Sequence, residues 1–251
     1  LIDTLDKVEQ NRKECYIREF SIEHFHDSKV FETLIPKICK IFREENEELT
    51  GFENEEILAE YQIYKTPGYV YMKGNVQIYS AGKQAADISA CPEGIAVAVG
   101  SEEDVPDICP DQTIDKVFTI ENLTSFYRFK QEHSLVIYLG GYHNHSRRNL
   151  LMQIYQKLPD AQYYHFGDLD AGGFYILEHL KRKTGIPFQM FQMDIETLKK
   201  YDDYAKPLTE NDKKRLMQLE KMELPDEERK LITYMLQKGI KLEQECISKS
   251  Q

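Results

Sequence analysis

No apolar run in the 251 residues approaches the ~20 that a membrane-spanning helix needs. A basic start followed by an apolar stretch, the mark of a secretory leader, is also missing. Cysteine is scarce: Cys15, Cys39, Cys91, Cys109 and Cys246 are odd in number, far apart, and form no C-x-x-C pair. That spacing argues against a disulfide framework and against a zinc site, and for a reducing cytoplasm; the residues read as small core hydrophobes. Internal repeats and low-complexity segments are absent. The first residue is Leu rather than Met, so the chain is expected to be a piece of a longer protein or a processed one. With 41% hydrophobic and 30% charged residues, the composition is that of a globular protein long enough to bury a core, in one large domain or two small ones.

The formal net charge is -11, which taken alone speaks against nucleic-acid binding. The distribution changes that. Residues 1–115 hold 11 Lys/Arg against 24 Asp/Glu, whereas residues 116–251 hold 21 against 19. Eight Glu and no base fall within residues 44–60, which reads as a solvated helix end and loop. The second half carries basic clusters at Arg147-Arg148, Lys181-Arg182-Lys183, Lys199-Lys200 and Lys213-Lys214-Arg215. Each suits a wet helix face; together they leave room for a phosphate-contacting surface.

Local patterning predicts the elements. Residues 16–25 alternate apolar and polar side chains, as in a half-buried strand. Val30 to Phe42 repeat apolar residues at helical spacing, with Pro36 inside, and a short helix is expected near 53–61. Segments 69–72 and 76–79 read as strands joined by a Gly74-Asn75 turn. The Pro- and Gly-rich, acidic stretch 100–112 reads as a linker. From there strands at 117–120, 135–139, 163–166 and 187–191 alternate with helices, implying βαβ crossovers and a parallel sheet, followed by helices near 209–221 and 226–238. The expected fold class is therefore α/β: a smaller α+β domain over residues 1–110, then a parallel sheet with flanking helices over 111–251.

Ligands of open parallel sheets gather beyond the carboxyl ends of the strands. Glu121 follows the first such strand, Gly140-Gly141 the second, and Asp168 and Asp170 the third. Gly167, Gly172 and Gly173 flank the two Asp and permit close approach of a phosphate or hydrated cation. Clustered carboxylates repel, and magnesium, which takes a few carboxylates plus water and phosphate oxygens, is the natural relief. Blander roles remain open: Asp170 suits a helix cap, Asp168 a turn, and Glu121 a helix N-terminus. The D-x-D-x-G start also suggests a calcium loop, but His179 stands at the twelfth position, where an acid is required.

As a set, Glu121, Gly140-Gly141 and Asp168/Asp170 resemble the Toprim signature of topoisomerases, primases and related nucleases. The wider context is narrower. Phe118 to Phe126 (F-T-I-E-N-L-T-S-F), Leu139 to Tyr142 (L-G-G-Y), His165 to Phe174 (H-F-G-D-L-D-A-G-G-F) and Lys241 to Glu245 (K-L-E-Q-E) together resemble the JetD family, the Toprim subunits of Wadjet bacterial plasmid-defence systems, which are related to the A subunit of topoisomerase VI. Phe25 to Glu32 resembles the stretch before that family's Toprim domain, with His26 where Gly is expected. The resemblance spans residues 16–247.

The resemblance implies a Toprim domain over 111–251 preceded by a winged-helix-like domain over 1–110. It implies a magnesium- or manganese-dependent endonuclease that cuts double-stranded plasmid DNA when activated by an SMC-type motor complex. Glu121, Asp168 and Asp170 would be the catalytic, metal-binding acids, with Glu121 also a candidate for proton transfer. Glu243 and Glu245 are supporting acids or simply a surface helix face. A homodimer is expected by analogy, because cutting both strands needs two sites. Two other functions stay in view: a DNA- or partner-binding module without catalysis, and a transesterase acting through one of the 16 Tyr, none of which sits in a matching motif.

Gly140, Gly141, His143 and Arg147 form an edge loop that suits either phosphate contact or plain solvation. His24 and His26 make an H-x-H pair without a visible third ligand, which favours strand packing or a surface pair over zinc. His165 is expected to be buried and hydrogen-bonded.

Overall fold

The computed structural model describes residues 1–46, 49, 52–65, 68–99, 106–140 and 145–248. It resolves into two compact units: Leu1–Tyr69 with Ala98–Val105 and Tyr142–Leu150, and Val70–Val97 with Pro106–Gly141 and Leu151–Gln251.

The first unit is mainly helical. It contains α1 (Ile2–Gln10), β1 (Cys15–Tyr16), α2 (Ile17–Phe25), α3 (Val30–Glu45), α4 (Asn54–Glu60) and β2 (Ile63–Tyr64), with β1 and β2 paired in parallel. Val8, Phe20, Phe31, Ile38, Phe42, Ile57 and Leu58 form its core. The predicted strand over 16–25 is in fact α2. Its apolar residues satisfy a helical stripe as well as an alternation: Ile17, Phe20 and Ser21 are buried on one face while Ile22 is 54% exposed. The Tyr16 N–H donates to the Glu19 carboxylate at 2.8 Å, a helix-start bond that a strand lacks. His24 therefore packs against Phe20 with tilted rings, centroids 4.4 Å apart, and His26 caps the helix, so the H-x-H pair does not lie on a strand. His26 sits at φ 57°, ψ 21°, the left-handed conformation that favours Gly. This is a physical reason for the Gly expected there.

Some of the acid run is used locally. Glu56 accepts the Glu53 N–H at the start of α4, and Glu55 pairs with Lys65 at 2.7 Å.

The elements that follow are β3 (Gly68–Lys73), β4 (Val76–Ser80), β5 (Lys83–Asp87), β6 (Ile95–Val99), β7 (Asp107–Pro110), β8 (Lys116–Ile120), α5 (Leu123–Arg128), β9 (Ser134–Tyr138), α6 (His145–Lys157), β10 (Gln162–Phe166), α7 (Ala171–Thr184) and β11 (Gln189–Met190). After them come α8 (Ile195–Lys200), a 3-10 turn (Asp202–Tyr204), β12 (Lys206–Pro207), α9 (Glu210–Leu219), α10 (Asp226–Lys238), β13 (Ile240–Lys241) and α11 (Gln244–Ser248). The main sheet has the order β11-β10-β8-β9-β3-β6; β11, β10, β8 and β9 are parallel, and β3 joins β9 antiparallel. Its central strands are buried along most of their length, as expected for strands covered on both faces. Phe118, Ile120, Val136, Phe166, Phe174, Leu198, Leu216, Leu231 and Ile232 anchor the second unit's core.

Two further expectations are corrected. β3 and β4 are not a hairpin: β3 enters the main sheet, whereas β4 lies between β5 and β7 in a separate three-stranded sheet. Within the expected linker, Asp107–Pro110 form β7, paired with Tyr79–Val76. Pro110 is tolerated because β7 is an edge strand, and Ile108 is fully buried. Residues 100–105 of that stretch lie outside the described residues. Among the described residues, no helix is long and apolar enough to cross a membrane.

The five cysteines are free thiols. Burial pushes those of Cys15 and Cys39 up to about 11, in keeping with a packing role.

The left-handed cap yields a prediction. His26→Gly is expected to raise stability by about 0.5–1 kcal/mol, the relief of a side chain at positive φ less the added freedom of the unfolded chain. His26→Val is expected to lower it. Urea unfolding of the three proteins checks the order, and a destabilised His26→Gly protein would contradict the strain argument.

Candidate functional site

The site lies at the carboxyl rim of the parallel strands in the second unit. Glu121 follows β8 directly, and its backbone is pinned from the β10 side: its N–H donates to the Phe166 carbonyl at 3.1 Å. On the other side, the Leu139 N–H donates to the Ile120 carbonyl at 2.7 Å, which ties the end of β8 to β9. Asp168 lies two residues beyond β10, and its N–H donates to Glu121 Oε2 at 3.2 Å. Asp170 is the N-cap of α7, where its Oδ1 accepts the Gly173 N–H at 2.9 Å. The cap role and membership of the acidic group are therefore compatible in one residue.

Two glycines make this packing possible. A Cβ on Gly167 would stand 2.7 Å from Glu121 Oε2 and 2.8 Å from His165 Nε2, and a Cβ on Gly173 would stand 2.1 Å from the Asp168 carbonyl oxygen. Any side chain at either position would push the acids apart.

The acids are electrostatically strained. Burial, then the charge of Asp168, pushes the Glu121 carboxyl up to about 8, against the pull of the Asp168 N–H; Asp170 and Glu245 add repulsion. Burial also pushes Asp168 up to about 6, opposed by a hydrogen bond from the Gln244 N–H and reinforced by Asp170, Glu245 and Glu243. No Lys or Arg pairs with Glu121 or Asp168 among the described residues. His165 is fully buried; its Nδ1 meets Thr119 Oγ1 at 3.0 Å and its Nε2 has no partner. Burial, then the Lys181 charge, holds it down to about 3, so the imidazole is neutral and offers the acids no compensating charge.

The C-terminal segment closes over this rim. Leu242 and Leu169 exchange backbone hydrogen bonds of 3.1 and 2.9 Å, and β13 itself pairs with β12. Glu243 accepts from Lys206 Nζ at 2.5 Å, and Glu245 accepts from Asn122 Nδ2 at 2.5 Å. Both supporting acids are thus brought beside the Asp168 loop, each tied to a neighbour. Between them stands Gln244, which sequence reading passed over. Its N–H donates to Asp168 Oδ1 at 2.7 Å, its Oε1 accepts the Asn122 N–H at 2.8 Å, and its Nε2 donates to the Phe166 carbonyl at 2.8 Å. Position in the L-E-Q-E stretch was the available signal, but a neutral amide between two acids draws no attention in a search for charge.

Other candidates fall elsewhere. Gly140 follows β9 at φ 70°, while Gly141 and His143 lie outside the described residues. Arg147 belongs to the first unit, where its guanidinium donates to the Tyr69 carbonyl at 3.4 Å. The basic clusters are largely engaged: Arg148 pairs with Glu60 at 2.7 Å, Lys181 with Glu178 at 2.8 Å and Lys213 with Glu210 at 2.7 Å. Lys199 and Lys200 lie over the rings of Tyr234 and Tyr201.

Among the described residues, no group of three or more His, Cys, Asp and Glu side chains is arranged to hold a metal ion. The donor set nevertheless suits a hard cation that keeps much of its water. It is all oxygen, it is short of positive charge, and it lies at a rim.

A family model described as Wadjet protein JetD, C-terminal, matches residues 103–251. A Wadjet protein JetD of Bacillus cereus (strain Q1) is 29% identical over 252 residues, an alignment covering 98% of this chain and 61% of that protein. The chain therefore spans about three fifths of that curated relative's length. Matched over more than half its residues, the chain belongs to the family defined by the C-terminal region of the Wadjet protein JetD.

Proposed function

We propose that this chain is the catalytic part of a magnesium- or manganese-dependent endonuclease that hydrolyses double-stranded DNA within an SMC-type plasmid-defence complex. One observation carries the reading: the Asp168 N–H holds Glu121 Oε2 at the carboxyl rim of a parallel sheet, and both carboxyl groups are buried there with no basic partner among the described residues. Gathering buried charge of one sign costs stability, and a divalent cation removes the cost. Family membership and the relative's name support placing that activity in a Wadjet complex.

Glu121 and Asp168 would hold the cation, with Asp170 beside them. When bound, the cation polarises the phosphodiester and makes a water acidic enough to attack it. The chain's own residues set the stage. The Asp168 N–H occupies Glu121 Oε2, which leaves Oε1 to face the cation or to take up a proton. Asp168 Oδ1 is fixed by Gln244, which leaves Oδ2. Buried His165 is held neutral and so adds no positive charge beside the acids.

The same reading takes residues 111–251 as a Toprim domain and 1–110 as a winged-helix-like domain. It assigns phosphate contacts to Gly140, Gly141, His143 and Arg147, and supporting roles to Glu243 and Glu245. It also takes the active form to be a cytoplasmic homodimer with one site per strand.

Asp168→Ala and Asp170→Asn are expected to abolish manganese-dependent plasmid cleavage by the complex reconstituted with its motor subunits, while leaving circular dichroism unchanged. Asn keeps the cap acceptor of α7; Asp170→Ala should lose cleavage and also about 1 kcal/mol of stability. Undiminished cutting by both charge-removing variants would take these residues out of the mechanism. Covalent protein–DNA adducts would replace hydrolysis with a Tyr transesterase.

The raised carboxyl groups give a second expectation. Folded Glu121 and Asp168 bind protons more tightly than unfolded carboxylates do, so their contribution is fully present below the unfolded values of 4.5 and 3.8. It is lost as pH rises through about 6 for Asp168 and about 8 for Glu121. In chelator, the melting temperature of the wild type relative to Glu121→Gln should therefore fall between pH 5 and 8, and manganese should flatten that decline. A difference that rises with pH would contradict the burial of the pair.

A further inference from the structure

Gln244 is fully buried, and it bonds to both acidic segments at once. Its side chain accepts from the backbone of Asn122, the residue after Glu121, and donates to the carbonyl of Phe166, two residues before Asp168. The Phe166 carbonyl also receives the Glu121 N–H, so both of its lone pairs are used. The Gln244 backbone N–H reaches Asp168 itself. An amide is suited to this place: one side must accept and the other donate, and a carboxylate cannot donate to Phe166. An aliphatic residue would take away the acceptor of the half-buried Asn122 N–H, at a cost of about 1 kcal/mol. Anchorage comes from either side, through the Leu169–Leu242 bridge and buried Ile247.

We infer that Gln244 is a positioning residue for the acidic centre, holding the segments that carry Glu121 and Asp168 at the separation at which both carboxylates serve one cation. This rests on the metal-binding reading above. It assigns the neutral residue of the L-E-Q-E stretch the larger structural part, with Glu243 and Glu245 tied off at its sides.

The test is equilibrium manganese binding to the purified chain, read by electron paramagnetic resonance of the free ion, with no DNA and no turnover. Gln244→Met keeps the volume and deletes the side-chain bonds to Asn122 and Phe166. It is expected to weaken manganese binding about 10- to 100-fold, the usual effect of losing an outer-sphere partner. Leu231→Ala, a cavity in α10 remote in sequence from the acids, is the control for lost stability and should leave the affinity unchanged. Gln244→Asn is the second variant, used if Gln244→Met does not fold, and should also weaken binding. Wild-type affinity in the folded Gln244 variant, or equal weakening by Leu231→Ala, overturns the positioning role. If Asp168→Ala loses manganese while Gln244→Met keeps it, this inference alone fails. If the wild type binds no manganese, the metal reading fails and this inference with it.

Discussion

Buried carboxyl groups at the carboxyl rim of the parallel strands set the terms for what surrounds them. The Asp168 N–H donates to Glu121, and burial raises the proton affinities of both carboxyl groups. The neighbours are chosen accordingly. Closest in are glycines without side chains, a neutral imidazole and a neutral amide; the charged residues Lys206 and Glu243 neutralise each other farther out. A lysine inside that shell would neutralise the acids and lower their proton affinities. The same economy is visible among the basic clusters of the second half, several of whose members pair with acids on their own or adjoining helices. The formal charge of the chain therefore says little about its site.

The βαβ half was legible because its signals are local. Strands β8, β9 and β10 are short, largely apolar runs, and the residues that follow them (Glu121, Gly140 and Gly167-Asp168) stand within two positions of their ends. The cap of α7 at Asp170, the cap of α5 at Asn122 and the stop at Gly239 were likewise local chemistry. Signals of two periods at once were not legible: over Ile17–Phe25 the alternation and the helical stripe coincide, and the Glu19 cap with tertiary burial decided for the helix. Nor was pairing between strands. Asn75 separates β3 from β4 as a turn would, yet the two strands go to different sheets because their partners, β9 and β7, lie far along the chain.

The acidic centre shows the same division. The candidate acids Glu121, Asp168 and Asp170 were picked out by position relative to predicted strand ends. Gln244 was not, because a neutral residue announces itself only through partners, and those lie 76 to 122 positions away. His26 is the converse case. It departs from the family's expected Gly, and the left-handed backbone there explains both the expectation and the cost of the departure.

The span of those Gln244 contacts also bears on the order in which the molecule comes together. Synthesis delivers Glu121, Asp168 and Asp170 long before it delivers Leu242 and Gln244, so a nascent chain carries every acid of the rim without the latch that spaces them. Closing loops of this length is entropically slow compared with forming the local helices and neighbouring strands. The Gln244 contacts are therefore expected to form late, after the sheet beneath them, so an unfinished polypeptide does not yet hold the segments of Glu121 and Asp168 together.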